Sequence, residues 1–338
     1  MTTILCDSIA ADAWRTSLQW KAYDRIVVLT DTNVYREVFP VLDWLNEFPV
    51  FVIPAGENAK GLEQVERIYQ KLHEFKCTRS SLLLCVGGGV VTDLGGFCAS
   101  TYMRGIDVIH VPTTVLAMVD AAIGGKTGYN TAWGKNMIGT FHAPKAVWLY
   151  PDVLKTLDQR EFYSGLAEAW KTAIMLDGAL WIALRSNPLP NNWLHRTAAA
   201  KRDLVETDFK EKGVRAWLNF GHTIGHALEH FLLSNKQESL LHGEAIAWGM
   251  LLELNVVYSD IHPVFNELRD LVEKHIPAPK LQVEDIPAIL ERMQADKKNA
   301  HQKLVLAVPL GEGVGGQVVE VKVKVVEEIL LRWINRWK

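Results

Sequence analysis

Long hydrophobic runs are missing from this chain. No apolar stretch reaches the roughly 18 residues that a membrane-spanning helix needs, so none is expected. The opening Met1-Thr2-Thr3-Ile4-Leu5-Cys6-Asp7 has no basic stretch leading into an apolar core, which argues against a secretory signal. Cysteine is scarce: Cys6, Cys77, Cys85 and Cys98 are all there is, with no Cys-x-x-Cys pair. That excludes a disulfide scaffold and a cysteine-rich zinc site, and fits reduced thiols in a cytoplasmic protein. Neither sign of charge dominates, with 36 basic against 39 acidic residues and a net charge of −3, so nothing electrostatic favours nucleic acid as the partner. Low-complexity tracts and internal repeats are also lacking. What remains is a globular composition, 49% hydrophobic and 22% charged, over 338 residues, a length for two domains or one large one. The twelve tryptophans, among them Trp170, Trp217 and Trp248 in helix-like segments, read as packing.

The first half alternates. Arg25 to Asp31, Pro49 to Ile53 and Ser81 to Val86 read as short buried strands. Between them lie helical segments at about Val34 to Phe48 and Gly61 to Phe75. In the second of these, Val65, Ile68, Tyr69 and Leu72 keep helical spacing. That order predicts a parallel sheet with helices on its faces, a Rossmann-like α/β domain. The third strand runs into Gly87-Gly88-Gly89-Val90-Val91-Thr92-Asp93. A glycine-rich turn from strand to helix lets backbone N–H groups meet a phosphate, although Thr92 stands where the dinucleotide pattern has its third glycine and no Gly-Lys-Ser/Thr closes a Walker loop. Asp107 to Val111 is a further strand, ending in Pro112-Thr113-Thr114. Two polar loops are expected beyond it, around Gly124-Gly125-Lys126-Thr127 and Gly134-Lys135-Asn136. Lysines flanked by glycine there suit an anionic ligand better than the solvated surface usual for lysine.

After Tyr150 strand-like runs become rare and helical spacing takes over. The expectation is a domain over residues 1–150 and a mainly α-helical second domain over 151–338, with a helix from Gln159 to Leu176 and others through Asn192 to Asp208, Ala245 to Tyr258, Pro263 to His275, Ile286 to Met293 and Val325 to Trp337. Lys303 to Val308 reads as a late strand, and Asp296 to Ala300 as a basic turn. The stretch that organises this half is Leu218 to His230. His222, His226 and His230 recur four residues apart, which stacks them on one helix face, and His242 follows in Leu241-His242-Gly243-Glu244. Imidazoles so placed hold zinc-like ions when a further ligand joins them. Glu168 is that candidate, because a carboxylate between Ala167 and Ala169 in an apolar helix is costly to bury unless paired or bound to metal. Glu168, His242 and a stacked histidine make a three-ligand site with open positions, the catalytic pattern. Spacing alone leaves open which of His222, His226 and His230 takes part.

Together these blocks, with Ser164-Gly165-Leu166-Ala167-Glu168 and Arg215 through His222, resemble the 3-dehydroquinate synthase family within the sugar phosphate cyclases, from about Pro54 to Asp296. The resemblance implies a lyase that converts 3-deoxy-D-arabino-heptulosonate 7-phosphate to 3-dehydroquinate and phosphate in the shikimate pathway. It implies NAD, reduced and reoxidised within one turnover, and a divalent zinc or cobalt ion held by Glu168, His222 and His242. Family positions for NAD fall on Asp31, Asn33, Glu57, Lys60, Gly89, Val90, Val91, Thr92, Asp93, Thr113 and Thr114, and Lys126, Lys135 and Thr156 are counted with them. Positions at the substrate fall on Arg104, Asp120, Lys135, Asn136 and Lys298. Catalytic positions fall on Lys126, Lys171, Lys201, Arg215, Asn219 and His226, the last as a proton relay; His230 is left as a helix-surface residue. The family pattern is broken at Ala55, often aspartate, at Thr92, often glycine, and at Phe209, often glutamate. A homodimer is implied by the resemblance only. The rival readings are another sugar phosphate cyclase, a metal-dependent polyol dehydrogenase that releases NADH, and a binding protein without activity.

Overall fold

The computed structural model describes residues 2–6, 22–235, 240–295 and 303–337. Contacts divide the chain into Met1–Asp158 with Leu194–Lys210, and Gln159–Trp193 with Glu211–Lys338. The single crossing expected near Tyr150 is therefore replaced by one at residue 158 and a return of the chain at 194–210. That return segment, which the sequence reading placed in the second half, is held by Lys201: its ammonium pairs with the Asp120 carboxylate and donates to the Asp120 carbonyl at 2.9 Å.

The first unit is built on a parallel sheet of β1 (Thr3–Cys6), β2 (Ile26–Asp31), β3 (Val50–Ile53), β4 (Leu82–Gly87), β5 (Asp107–Pro112) and β8 (Ala146–Leu149), in the order β1-β8-β5-β4-β2-β3. β4 and β8 are buried along their whole length, and their unbroken apolar runs are what a sheet covered on both faces requires. Helices α2 (Leu62–Glu74) and α3 (Gly89–Thr101) cover one face: Val65, Ile68, Leu72, Leu94 and Cys98 pack with Val27, Leu29, Leu83 and Cys85. The helix expected from Val34 to Phe48 is shorter. α1 is Thr32–Glu37, and Pro40 interrupts the pattern before a 3₁₀ turn at Asp43–Glu47, since proline has no N–H to continue a helix. From β2 the chain goes out to β3 and then crosses back to β4 on the other side of β2. Strand order thus reverses between β2 and β4, and ligands of open α/β sheets bind at the carboxyl ends of strands at such a point.

The loops expected around Lys126 and Lys135 are instead an antiparallel hairpin, β6 (Lys126–Thr131) and β7 (Gly134–Phe141), with Lys126 opposite Phe141. Phe209 packs on Phe141, ring centroids 5.6 Å apart.

The second unit is mainly helical, with α4 (Gln159–Leu176), α5 (Gly178–Leu184), α7 (His222–Asn235), α8 (His242–Tyr258), α9 (Phe265–His275), α10 (Ile286–Ala295) and α11 (Val323–Trp337); α6 (Trp193–Thr207) enters the first unit after its first residue. The late strand expected at Lys303 to Val308 is β9 (Lys303–Pro309), and it pairs antiparallel with β10 (Gly316–Lys322). α8 is buried from Gly243 to Asn255 and mostly apolar on every side, Glu244, Glu253 and Asn255 being the polar exceptions, the mark of a helix at the centre of its unit.

Candidate active site

Three helices of the second unit bring the ligand candidates together. Glu168 lies mid-way along α4, and His222 and His242 are the first residues of α7 and α8. Glu168 is fully buried, and its Oε1 lies 3.8 Å from His222 Nε2 and 3.6 Å from His242 Nε2. Donors on a tetrahedral ion with bonds of about 2.1 Å stand about 3.4 Å apart, so a divalent ion needs only a small adjustment of these side chains. His226 joins the cluster: His222, His226 and His242 each offer a ring nitrogen within 4.8 Å of the others. His230 does not. It accepts a hydrogen bond from Arg292 Nε at 3.0 Å, and so ties α7 to α10.

The remaining ring nitrogens are spoken for. His222 Nδ1 lies 3.1 Å from the Phe220 carbonyl, and His242 Nδ1 lies 3.2 Å from Glu229 Oε2. A carbonyl or carboxylate behind an imidazole fixes its tautomer and leaves the other nitrogen for the ion. Burial, followed by the charge of Lys171, pushes His222 well below its ordinary value, which keeps its imidazole neutral and its Nε2 open to an ion. Burial would lower His242 too, but Glu168 and Glu229 outweigh it and raise it to about 10; an ion must displace that proton. Burial would raise Glu168, yet Lys171 and His242 together hold it well below the carboxylate range. Lys171, one turn along α4 and itself buried, lies against Glu168 Oε2. Even so, neither Glu168 oxygen receives a well-formed hydrogen bond. Oε2 is taken by the Lys171 ion pair, while Oε1 faces two imidazoles, a donor set suited to a divalent cation.

Arg215 and Asn219 lie on the 3₁₀ turn Val214–Asn219 that leads into α7. Just before that turn is a residue absent from the expected site that reaches both. Glu211 accepts from Asn219 Nδ2 at 2.7 Å and lies 4.0 Å from Arg215 Nε. Its signal was present: an acidic residue four before a buried arginine.

The nucleotide candidates lie in the first unit. Asp31 ends β2 and caps α1, its Oδ1 accepting from Asn33 and Val34 N–H at 2.9 and 3.0 Å. Gly89 opens α3 directly after β4. Gly88 before it supplies no side-chain cap, so the first-turn N–H groups at Gly89, Val90 and Val91 form an anion cradle at the strand's carboxyl end. A Cβ on Gly87 would sit 2.6 Å from Val91, so that turn needs glycine. Thr92 is buried and bonds back to the Gly89 carbonyl at 3.1 Å, which accounts for a threonine where glycine is usual. Buried Lys60 donates to Asp93 Oδ2 at 2.5 Å and to Asn136 Oδ1 at 2.6 Å, gathering three candidates into one cluster. Glu57 accepts from Asn130 at 2.8 Å. Thr113 is buried after β5, and Thr114 Oγ1 accepts from Ala117 N–H at 3.1 Å. Lys126, Lys135 and Arg104 are exposed. Thr156 turns back on the Val153 carbonyl at 3.1 Å. Lys298 and the basic turn around it lie outside the described residues.

Residues 50–164 match the model of the 3-dehydroquinate synthase N-terminal domain, and residues 165–299 that of its C-terminal domain. The 3-dehydroquinate synthase of Helicobacter pylori strain J99 is 37% identical, over 94% of this chain and 93% of its own length. A 2-epi-5-epi-valiolone synthase from Streptomyces hygroscopicus subsp. jinggangensis 5008, solved with NAD+ and Zn2+ bound, superposes with a TM-score of 0.82 at 25% identity, covering 99% of this chain and 97% of that one. Glycerol dehydrogenase from Schizosaccharomyces pombe shares the fold at 17% identity, with a TM-score of 0.66 over 100% of this chain and 91% of that one. Matched through both domain models and along nearly its whole length by a curated relative, the chain belongs to the 3-dehydroquinate synthase family.

Proposed function

We propose that the chain turns 3-deoxy-D-arabino-heptulosonate 7-phosphate into 3-dehydroquinate and phosphate, with NAD as a returning cofactor and a divalent ion held by Glu168, His222 and His242. The observation that carries this is the approach of Glu168 Oε1 to two imidazole nitrogens, at 3.6 and 3.8 Å, in a chain of this family. When bound, the ion supplies a Lewis acid that lowers the pKa of a substrate hydroxyl, and the nicotinamide supplies a hydride acceptor and donor.

The chain's own residues do the rest. First-turn N–H groups of α3 bind the dinucleotide phosphates, with Asp31 and Asn33 at the end of β2 toward a ribose. Lys126, Lys135 and Arg104 bind the substrate phosphate and carboxylate, which charge-assisted donors suit. Lys201 and Asp120, already paired, orient hydroxyls, and Arg215 and Asn219 do so from a turn steadied by Glu211. His226 is exposed one helical turn beyond His222 and moves protons at its ring nitrogen. We further propose a homodimer working in the cytoplasm; sedimentation at micromolar concentration tests the first part.

The reaction is tested with the heptulosonate phosphate and a trace of NAD. Phosphate release far exceeding the NAD supplied, with 3-dehydroquinate as product and no net NADH, is expected. NADH accumulating one for one with substrate consumed sinks the reading in favour of a dehydrogenase.

A further inference from the structure

Of the three ligand-bearing helices, α8 grips the other two. Near its start, Glu244 accepts from Arg160 Nε and Nη2 at 2.6 and 2.7 Å, and Gly243 N–H donates to Ser164 Oγ at 3.1 Å. Arg160 and Ser164 are on α4, the helix of Glu168. Farther along α8, Glu253 is buried with no exposed surface and faces the helix of His222 instead. Its Oε2 accepts from Gly221 N–H at 2.7 Å and its Oε1 from Ile224 N–H at 3.1 Å.

These are donors of the first turn of α7, which starts at His222. The first N–H groups of a helix find no partner inside it, and the ordinary remedy is a side chain on the residue before. Gly221 has none and cannot take one. Its φ is +79°, and a Cβ there would lie 2.6 Å from Met250 Cγ and 2.7 Å from the Ile246 carbonyl. Gly249 completes the close approach, since a Cβ on it would lie 2.0 Å from the Gly221 carbonyl. The cap is thus supplied from the neighbouring helix, by a carboxyl group whose burial is costly unless its hydrogen bonds are well made.

We infer that Glu253 is a positioning residue for the divalent ion: it holds the first turn of α7 and so fixes the direction in which His222 presents Nε2 to Glu168 and His242. This rests on the metal reading of the site given above. A frayed first turn moves its first residue most, and here the first residue is a ligand. A cap that served only stability would leave the affinity of the folded site for the ion unchanged.

Three variants separate the possibilities. Glu253→Gln keeps the size and one acceptor but turns an amide N–H2 toward backbone donors. Asn255→Ala, on the same helix, removes a buried acceptor for Trp333 Nε1 at 3.1 Å without touching α7. Glu168→Ala removes a ligand. Zinc affinity is measured on folded protein by competition with a chromophoric chelator, and the visible spectrum is recorded with Co2+ bound. Glu253→Gln is expected to weaken zinc by about 10- to 100-fold, the range for groups that orient a ligand, and to alter the Co2+ bands. Asn255→Ala is expected to lower the melting temperature and leave both unchanged. Wild-type affinity and an unaltered spectrum in Glu253→Gln overturn the inference. Zinc bound equally well by wild type and Glu168→Ala overturns the metal reading instead. If Glu253→Gln does not fold, amide exchange in the wild-type protein decides: Gly221 and Ile224 N–H are expected to slow further when zinc is added, and indifference to zinc overturns the inference.

Discussion

Replacing Glu168 with alanine removes the carboxylate on which two imidazoles and one ammonium converge. Two losses follow, and they are separable. The first is metal. Groups that merely orient a ligand cost about 10- to 100-fold in affinity when removed, so loss of a ligand itself should cost more than about 100-fold, or about 2.8 kcal/mol. The second is stability without metal. Glu168 and Lys171 form a fully buried pair, and taking away one partner of such a pair costs about 3–5 kcal/mol because a buried charge loses its counter-ion. The double variant Glu168→Ala with Lys171→Met removes that charge as well. It is expected to recover most of the stability and none of the zinc affinity. Urea unfolding of metal-free protein reads the first quantity, chelator competition the second, and tryptophan quenching by NAD shows that the first unit is intact. Metal-free Glu168→Ala with wild-type stability, or one that rebinds zinc as tightly as wild type, would refute the argument.

Three further outcomes are expected. Burial pushes His110, in the middle of β5 with no partner for Nδ1, down to about 3 from 6.5. Between those values the unfolded chain binds the extra proton, so stability is full above pH 6.5 and falls as pH drops toward 3, by up to about 5 kcal/mol at about 1.4 kcal/mol for each tenfold change in proton affinity. His110→Gln should flatten that part of the urea-stability profile, and an equally steep acid limb in the variant tells against it. Gly243→Ala places a Cβ 1.7 Å from the Ser164 carbonyl, so α8 must back away from α4; a stability loss of about 1–3 kcal/mol or more and weaker zinc binding are expected, and unaltered zinc binding would show the contact to be dispensable. Lys126→Ala should raise the dissociation constant for a non-reacting phosphosubstrate analogue far more than that for NAD by calorimetric titration; equal losses would move this lysine to the cofactor.

The second unit's cluster of side chains was legible because burial leaves few choices. A carboxylate between Ala167 and Ala169 in an apolar helix has to be paired, and Glu168 is paired, with Lys171 beside it and two histidines in front. Helical spacing set His222, His226 and His230 on one face, but it could not choose among them. That choice depends on which part of the face meets Glu168 and His242, and this is decided by α7 pressing on α8 at Gly221 and Gly249. His230, one turn too far, meets Arg292 of α10 instead. In the first unit the apolar strands were readable because both faces are covered. The hairpin β6–β7 was not, because its glycines and lysines give no alternation and its pairing is with itself.

The same limit explains Glu253, which no local pattern marked. In the chain it is one acidic residue in an apolar run, Leu251-Leu252-Glu253-Leu254, with no lysine or arginine near it. Its partners are backbone N–H groups about 30 residues earlier, and a backbone donor has no letter in the sequence. Glu168 and Glu253 pose one problem, a carboxylate that must be satisfied inside an apolar helix, and they solve it in different currencies. The first faces side chains, which residue types reveal. The second faces the open end of a helix, and only Gly221, a residue without a cap of its own, hints that the carboxylate is owed there. A buried acid with no basic or histidine partner in reach of its own helix is therefore a reason to look for a helix start among the neighbours before assigning it to a ligand.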